Sequence, residues 1–279
     1  MNSLLGVYVD GETKTGKGAA GKAMVDALDA AGIKVYYDVA GDFFRRYAAA
    51  VRESLELSDT GQLPEDEKAL ERVVRQVHDQ GPPFERSDRF GDLQKPIISA
   101  SVAAVAKFEI VQEACGQWLR VAAMHAQAKG ADVLVLDGRN VRSHLRKRAA
   151  DLKLATAFEL YLLCEPREAA RRALLANGAT SPSGSEIDER AAIIGETRQR
   201  DRHREVRPYV MPATCIRFDP KQSGVAQVLR RIWEAHTNEE RPLPVCLDNT
   251  TISKPDMLAA VSELAVAAVR LAQATLAAG

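Results

Sequence analysis

The stretch VYVDGETKTGKGAAG, residues 7–21, joins a short hydrophobic run to a loop that carries three glycines and two lysines. After the loop, apolar residues recur at helical spacing, at Ala20, Met24, Ala27, Leu28 and Ala31. Gly32 is placed to end that helix, and a second hydrophobic run, KVYYDVA, follows at 34–40. Residues 1–40 are therefore predicted to form a strand–helix–strand unit.

Other short runs rich in Val, Ile, Leu and Tyr extend this pattern along the chain. They predict buried strands at 4–10, 34–40, 132–138, 157–165 and 215–219. Nearly continuous apolar runs suit a parallel sheet that is covered by helices on both faces. We expect a single α/β domain over residues 1–279, with five or six parallel strands.

Two segments interrupt the alternation of strands and helices. Residues 41–130 contain no convincing strand, and their broken helical patterns predict a helical insertion. Residues 174–208 begin with a Gly/Ser/Pro cluster and end in an arginine-rich segment from Arg198 to Arg207. Such a segment is commonly a solvated helix face, but beside a flexible loop it favours a mobile clamp for an anion, or lid.

Composition excludes several classes of protein. Lys plus Arg and Asp plus Glu both number 38, so the chain lacks the basic excess of a dedicated nucleic-acid binder. The four cysteines form no CxxC pair, which argues against a zinc site or a disulfide framework. No signal-peptide pattern opens the chain and no apolar run approaches about 18 residues, so we expect a cytoplasmic protein that does not bind a membrane.

The loop has the spacing of a phosphate-binding loop, Gly11-x-x-x-x-Gly16-Lys17, between a strand and a helix. Glycines let backbone N–H groups converge on phosphate oxygens, the helix N-terminus adds partial positive charge, and the lysine reaches the outer phosphates. Gly18 stands where many such loops carry a magnesium-binding Ser or Thr. The predicted ATP-binding residues are Gly11, Glu12, Thr13, Lys14, Thr15, Gly16, Lys17, Gly18 and Ala19.

Gly16-Lys17-Gly18 is similar to the loop of nucleoside-monophosphate kinases, and further segments resemble the bacterial cytidylate kinases among them. The matching segments are Asp10-Gly11, Gly41-Asp42-Phe43-Phe44-Arg45, Asp137-Gly138-Arg139, YLLCEPREAARRA at 161–173 and Arg200-Asp201-Arg202-His203-Arg204 with Pro208 after it. They occur in order over most of the chain. The resemblance implies a P-loop fold whose 41–130 insertion binds the acceptor nucleotide and whose 174–208 segment is the lid.

The resemblance also assigns roles to single residues. Lys17 would bind the β- and γ-phosphates of ATP, while Arg45, Arg139 and Arg204 would bind the acceptor phosphate, a role that suits the planar fork of arginine. The catalytic residues it implies are Lys17, Arg139 and Arg204.

Two acids receive roles as well. Asp201 would accept hydrogen bonds from the acceptor ribose, or else only neutralise its basic neighbours. Asp137 would hold water bound to Mg²⁺, the cofactor accompanying ATP, or else only cap the turn after its strand.

The sequence departs from the family pattern at the positions that read the base. Our alignment puts Ala103 near the family's serine, with Ser99 and Ser101 close by, and Gln112 at its base-reading arginine. Asn140 replaces an aspartate. Gln and Asn still offer donors and acceptors, so we keep both as predicted acceptor-binding residues. Ala19 lacks a hydroxyl found in relatives, which predicts weaker nucleotide binding.

The C-terminus offers two candidates for the family's last strand and helix. One is CIRFDPKQSGVAQVLRRIWEAH at 215–236, and the other begins at VCLDNTT, residues 245–251. The second matches the turn near the donor adenine better and adds Asp248 and Thr250 to the predicted ATP-binding residues. Residues 237–279 are thus either a C-terminal extension or the displaced last strand and helix.

The function expected from these features is phosphorylation of CMP or dCMP by ATP. Two alternatives stay open: a P-loop kinase for a different small acceptor, and a non-catalytic nucleotide-binding or scaffold protein. Small nucleotides are the expected partners, without a nucleic-acid polymer. Monomer and homodimer are equally compatible with the sequence.

Overall fold

The structure is a computed structural model that describes residues 4–84, 92–93, 95–139, 141, 154–203, 209, 211–238 and 243–278. In chain order its elements are β1 Leu4–Gly11, α1 Lys17–Ala30, β2 Val35–Val39, α2 Ala40–Ser54, α3 Glu67–Asp79, α4 Pro96–Val105, α5 Glu109–Ala128, β3 Val133–Asp137, β4 Leu154–Leu163, α6 Pro166–Ala176, α7 Gly184–Arg202, β5 Ile216–Phe218, α8 Val225–Asn238, β6 Val245–Asp248 and α9 Lys254–Ala278.

The six strands form one sheet in the order β2-β3-β1-β4-β6-β5, and every pairing is parallel. The α/β parallel-sheet prediction is therefore confirmed. Val9 pairs with Asp137 and Val39 also pairs with Asp137, so the carboxyl ends of β1, β2 and β3 lie at one edge. The glycine-rich loop follows β1 at this edge, where ligands of open α/β sheets bind.

Both C-terminal candidates form a strand and a helix. The strand β6 pairs with β4, with Leu160 opposite Val245, and β5 pairs with the other side of β6. The later strand thus occupies the place beside β4, and the earlier one forms the sheet edge. This order brings the turn after β6 towards the glycine-rich loop.

Helices cover both faces of the sheet, each over its own hydrophobic cluster. On one face, side chains of α1, α8 and α9 pack against those of β1, β4 and β6. On the other face, α2, α3 and α5 pack around Phe43, Tyr47 and Trp118. Burial of these large side chains, at about 25 cal/mol per Å² of apolar surface, anchors the helical insertion to the sheet.

The last helix corrects one expectation. Lys254–Ala277 is long and apolar enough to cross a membrane by length and composition, so the statement that no run approaches such a length was wrong. In the structure, however, Val261, Leu264 and Val269 are fully buried in the cluster shared with α1. The four cysteines form no disulfide with one another, and three of them are buried.

Candidate active site

The glycine-rich loop depends on residues that have little or no side chain. Gly11 has φ of +148°, and a Cβ atom there would lie 2.5 Å from the carbonyl oxygen of Leu162 on the neighbouring strand. Gly16, with φ of +94°, is the N-cap of α1, and no side chain caps that helix. The uncapped N-terminus leaves backbone N–H groups for an anion.

Lys17 lies at the first turn of α1. Its Nζ donates a hydrogen bond to the backbone carbonyl of Glu12, 2.7 Å away. Burial of the ammonium group lowers the pKa of Lys17 to about 8, an effect that the nearby Asp137 carboxylate partly opposes. A bound phosphate would add further negative charge beside the ammonium group and would favour its protonated form.

Asp137 ends β3 and faces the same space. It is 5% exposed, and Tyr37 donates a hydrogen bond from its hydroxyl to Oδ2 over 3.3 Å. Burial raises the pKa of Asp137, and the positive charge of Lys17 acts in the opposite direction. Gly18 lies beside this carboxylate, since a Cβ atom at that position would be 3.5 Å from Oδ2.

One cavity of about 650 Å³ connects the loop to the helical insertion and the lid. The loop side is formed by residues 13–19. The other side brings together the predicted acceptor-binding residues Arg45, Gln112, Arg139 and Asp201, and also Asp137. Segments more than 100 positions apart in sequence thus meet around a single space. Two further predicted residues, Asn140 and Arg204, lie outside the described residues.

Two arginines in this cavity are paired with carboxylates. Arg45 donates from Nη1 to Asp42 Oδ1 over 2.8 Å, one turn earlier on α2. Arg139 is hydrogen-bonded to Asp201 on α7, and it also donates to Thr13 Oγ1 over 3.1 Å. The pairing of Arg45 with Asp42 was missed from the sequence, although an i,i+3 pair in a helix was readable there.

The positions expected to read a base differ in their surroundings. Gln112 is buried against the cavity and donates from Nε2 to the Ala106 carbonyl at 2.5 Å. Ser101 binds Arg52 and the Ile97 carbonyl, so its hydroxyl is used within the insertion. Ser99 lines the cavity, whereas Ala103 is exposed and lies outside its lining. Of the two serines, Ser99 is therefore the one that lines the cavity.

A second cavity, of about 980 Å³, lies on the other side of the loop between α6 and the turn after β6. Thr250 lines it, and Asp248 holds the Thr250 hydroxyl through a 2.6 Å hydrogen bond without lining the cavity itself. Asn249 is fully buried and donates from Nδ2 to the Thr15 carbonyl over 2.8 Å. Asn249 therefore fastens this turn to the phosphate-binding loop.

Arg172 on α6 organises the same turn and was missed from the sequence. It donates to the carbonyls of Asn249 and Ile252 over 2.7 and 3.0 Å, and to Glu168 over 2.7 Å. Its segment was recognised only as an arginine-containing helix after a strand. Because the partners are 77 and 80 positions away in the chain, no local spacing indicated the contact.

The arginine-rich lid segment forms α7, which begins at a capping box between Ser183 and Glu186. At its other end, Arg198 and Arg202 bind the side chain of Glu12 in the loop. Neither arginine lines the 650 Å³ cavity. Beyond α7, Tyr209 donates from its backbone N–H to the Asp201 carbonyl over 2.9 Å and from its hydroxyl to Asp10 Oδ1 over 3.1 Å.

A parallel sheet with a Gly-Lys loop at its carboxyl edge, opening a helix, is the arrangement of the P-loop nucleotide-binding proteins. A family model, that of the cytidylate kinases, matches residues 7–238. The chain belongs to this family, and it is a nucleoside-monophosphate kinase, a phosphotransferase. The matched range includes β5 and α8 and ends before β6 and α9. A search of curated proteins found no match to this chain.

Proposed function

We propose that the protein transfers the γ-phosphoryl group of ATP, bound with Mg²⁺, to CMP or dCMP. The observation that carries the proposal is the shared cavity, in which Lys17 and the loop face Arg45, Arg139 and Asp201. Phosphoryl transfer asks a protein mainly for positioning and for positive charge around the migrating group. The proposal includes a cytoplasmic location and free nucleotides as the molecules bound.

The donor site proposed here combines the loop with the second cavity. Residues 11–19 would hold the phosphates through backbone N–H groups and Lys17, and the turn with Asp248 and Thr250 would lie near the adenine. Support comes from the hydrogen bond between Asn249 and Thr15, which joins the two parts. The absence of a hydroxyl at Ala19 removes one phosphate contact, worth about 1–3 kcal/mol when charge-assisted.

The acceptor site proposed here uses the helical insertion, residues 41–130, and the lid, residues 174–208. Arg45, Arg139 and Arg204 would bind the acceptor phosphate, and Asp201 the ribose. The acceptor phosphate is already an anion at neutral pH, so no residue needs to act as a nucleophile. Closure of the lid would exclude water from the donor and suppress hydrolysis.

Base recognition is assigned to Gln112 and Asn140, with Ser99 as a third contact. Gln112 donates from Nε2 to the Ala106 carbonyl, and its amide oxygen is the group of this side chain that could accept a hydrogen bond from a base amine. A hydrogen bond from the exocyclic amine of cytosine to that oxygen would distinguish cytosine from uracil, which carries a carbonyl at that place.

Asp137 fits a role beside Mg²⁺. Mg²⁺ is usually held by one or two carboxylates together with waters and substrate phosphates. Among the described residues, no group of three or more His, Cys, Asp and Glu side chains is arranged to bind a metal. One buried carboxylate next to Lys17 agrees with a metal brought in by ATP. The metal would neutralise developing charge on the phosphates, and Asp137 would orient one of its waters.

A second acceptor class is favoured by one observation: the base-reading positions differ from those of the family that the sequence resembles. A small acceptor other than a cytidine nucleotide would then occupy the same cavity. An acceptor without a phosphate would leave Arg45 and Arg139 with no ligand partner, so loss of acceptor affinity in Arg45→Ala protein separates a phosphorylated acceptor from a neutral one.

The test is ADP release from Mg-ATP in the presence of CMP, dCMP, UMP, AMP, GMP or dTMP, with a blank that lacks acceptor. Lys17→Ala protein serves as the control for contaminating kinases. We expect turnover with CMP and dCMP well above every other acceptor. Turnover confined to another acceptor would favour the second class, and turnover equal to the blank in all samples would contradict both.

A further inference from the structure

Glu12 places a carboxylate within the phosphate-binding loop, where the ligand itself is negatively charged. Its side chain is 7% exposed and turns away from the 650 Å³ cavity towards the lid helix α7. Each oxygen meets a different arginine: Oε2 lies 3.2 Å from Arg198 Nη1, and Oε1 accepts a 2.9 Å hydrogen bond from Arg202 Nε. One loop residue therefore binds two successive turns of the lid.

The backbone of the same residue organises the loop. The Glu12 carbonyl accepts hydrogen bonds from Lys17 Nζ over 2.7 Å and from Thr15 Oγ1 over 2.9 Å. Any displacement of Glu12 by the lid is thus transmitted to the lysine that faces the phosphates. The lid and the catalytic lysine share one point of attachment.

The two arginines differ in how much they depend on Glu12. Arg198 is buried and also donates to the carbonyls of Thr13 and Cys164 over 2.9 and 2.7 Å. The Arg202 side chain is 57% exposed, and among the described residues Glu12 is the partner to which it donates. Removing the charge of Glu12 should therefore release Arg202 and leave Arg198 in place.

Asp201 lies next to Arg202 on α7 and binds Arg139 across the cavity. The Arg202–Glu12 contact consequently holds the turn of α7 that delivers Asp201 to the acceptor side. A buried carboxylate is costly unless its oxygens are paired. The burial of Glu12 therefore favours the state in which Arg202 stays bound to it.

We propose that Glu12 is a positioning residue for phosphoryl transfer: through Arg202 it holds the last turn of the lid helix, with Asp201, against the phosphate-binding loop before nucleotide binds. The kinetic part of this inference rests on the proposed function. The structural part concerns the nucleotide-free protein and does not depend on which acceptor is used.

The structural test is hydrogen–deuterium exchange in the absence of nucleotide, comparing wild-type protein with Glu12→Gln. The matched control is Asp188→Asn, which removes an exposed ion pair between α7 and Arg167 at the other end of the same helix. We expect amides at residues 196–203 to exchange about tenfold faster in Glu12→Gln and to be unchanged in Asp188→Asn. Equal exchange in Glu12→Gln and wild type would overturn the proposal.

The kinetic test uses whichever acceptor gives turnover. We expect Glu12→Gln to lower kcat about tenfold without raising the KM for ATP, because the variant also removes a negative charge near the phosphates. A raised KM with unchanged kcat would contradict a positioning role. If Glu12→Gln does not fold, Arg202→Gln removes the same contact from the exposed side, and the same exchange and kinetic outcomes apply to it.

Discussion

The two sides of the shared cavity are built in different ways. The loop side is formed by consecutive residues whose backbone conformation is set by Gly11 and Gly16. The opposite side is formed by charged side chains from α2, the end of β3 and α7, and each of its described arginines is paired with a carboxylate. Under the proposed function, the first side would present fixed donors, and the second would have to exchange a carboxylate for the acceptor phosphate when a ligand binds.

The largest expected effect tests the loop side. Lys17→Ala should lower kcat by roughly 100- to 1,000-fold, since it removes the buried lysine charge that is proposed to bind the transferred group. Steady-state ADP release under saturating ATP measures the change. Lys22→Ala, an exposed lysine on the same helix, is the matched control. A loss below tenfold would mean that the backbone alone supplies the stabilisation on this side.

The next largest effect tests the opposite side of the cavity, which is formed by charged side chains. Arg45→Ala should raise the KM for the acceptor by about 10- to 100-fold, as expected when a charge-assisted contact worth about 1.5–3 kcal/mol is lost, and should leave the KM for ATP within about twofold. Arg75→Ala serves as the control, because Arg75 is an exposed arginine on α3 whose partner among the described residues is Glu71, one turn earlier. Equal changes in both KM values would show that the two sides do not act separately.

The pH dependence of ATP binding tests the loop side in a second way. In the free protein burial lowers the pKa of Lys17 to about 8, so the side chain loses its proton as the pH rises above that value. ATP binding favours the protonated form and must then take up a proton. The dissociation constant for ATP should therefore rise between pH 8 and pH 9.5, by up to about tenfold per pH unit.

Titration of binding by calorimetry at several pH values measures this slope, and proton uptake follows from comparing buffers with different ionisation enthalpies. Lys17→Arg protein is the control, since arginine stays charged throughout this range. If the dissociation constant for ATP still rises with pH in Lys17→Arg protein, the titrating group is not Lys17.

The same contrast explains how far the sequence could be interpreted. The loop was readable because its geometry is local: a strand, fixed glycine positions, a lysine and a helix start. The parallel sheet followed from near-continuous apolar runs. On the opposite side only the Arg45–Asp42 pair is local enough to be read from spacing. The contact of Arg139 with Asp201 on that side, and the contact of Arg202 with Glu12 between the lid and the loop, join residues 62 and 190 positions apart, and no local spacing encodes them.

The two C-terminal strands show a similar limit on what the sequence could predict. Their existence followed from composition, but β5 and β6 are both short and buried, so composition cannot order them. The pairing of β6 with β4 depends on where its following turn packs. Asn249, which fastens that turn to Thr15, was part of a recognised stretch, yet its burial could not be read from its type.

The smallest expected effect concerns Asp42, whose carboxylate holds Arg45 in the free protein. An incoming acceptor phosphate must compete with this carboxylate. The pair is only partly exposed, at 27% and 29%, and such pairs are worth about 1 kcal/mol or less. Asp42→Ala should therefore lower the KM for the acceptor about threefold.

Asp42 also lies in the first turn of α2, where a negative charge stabilises the helix. The same variant should therefore reduce the free energy of unfolding by about 0.3–1 kcal/mol, measured by urea titration. Glu71→Ala, which frees the exposed Arg75 on α3, is the control for removing an acid from a helical ion pair. A raised acceptor KM in Asp42→Ala would show that the carboxylate orients Arg45 for the phosphate. The carboxylate would then help the phosphate to bind and would not compete with it.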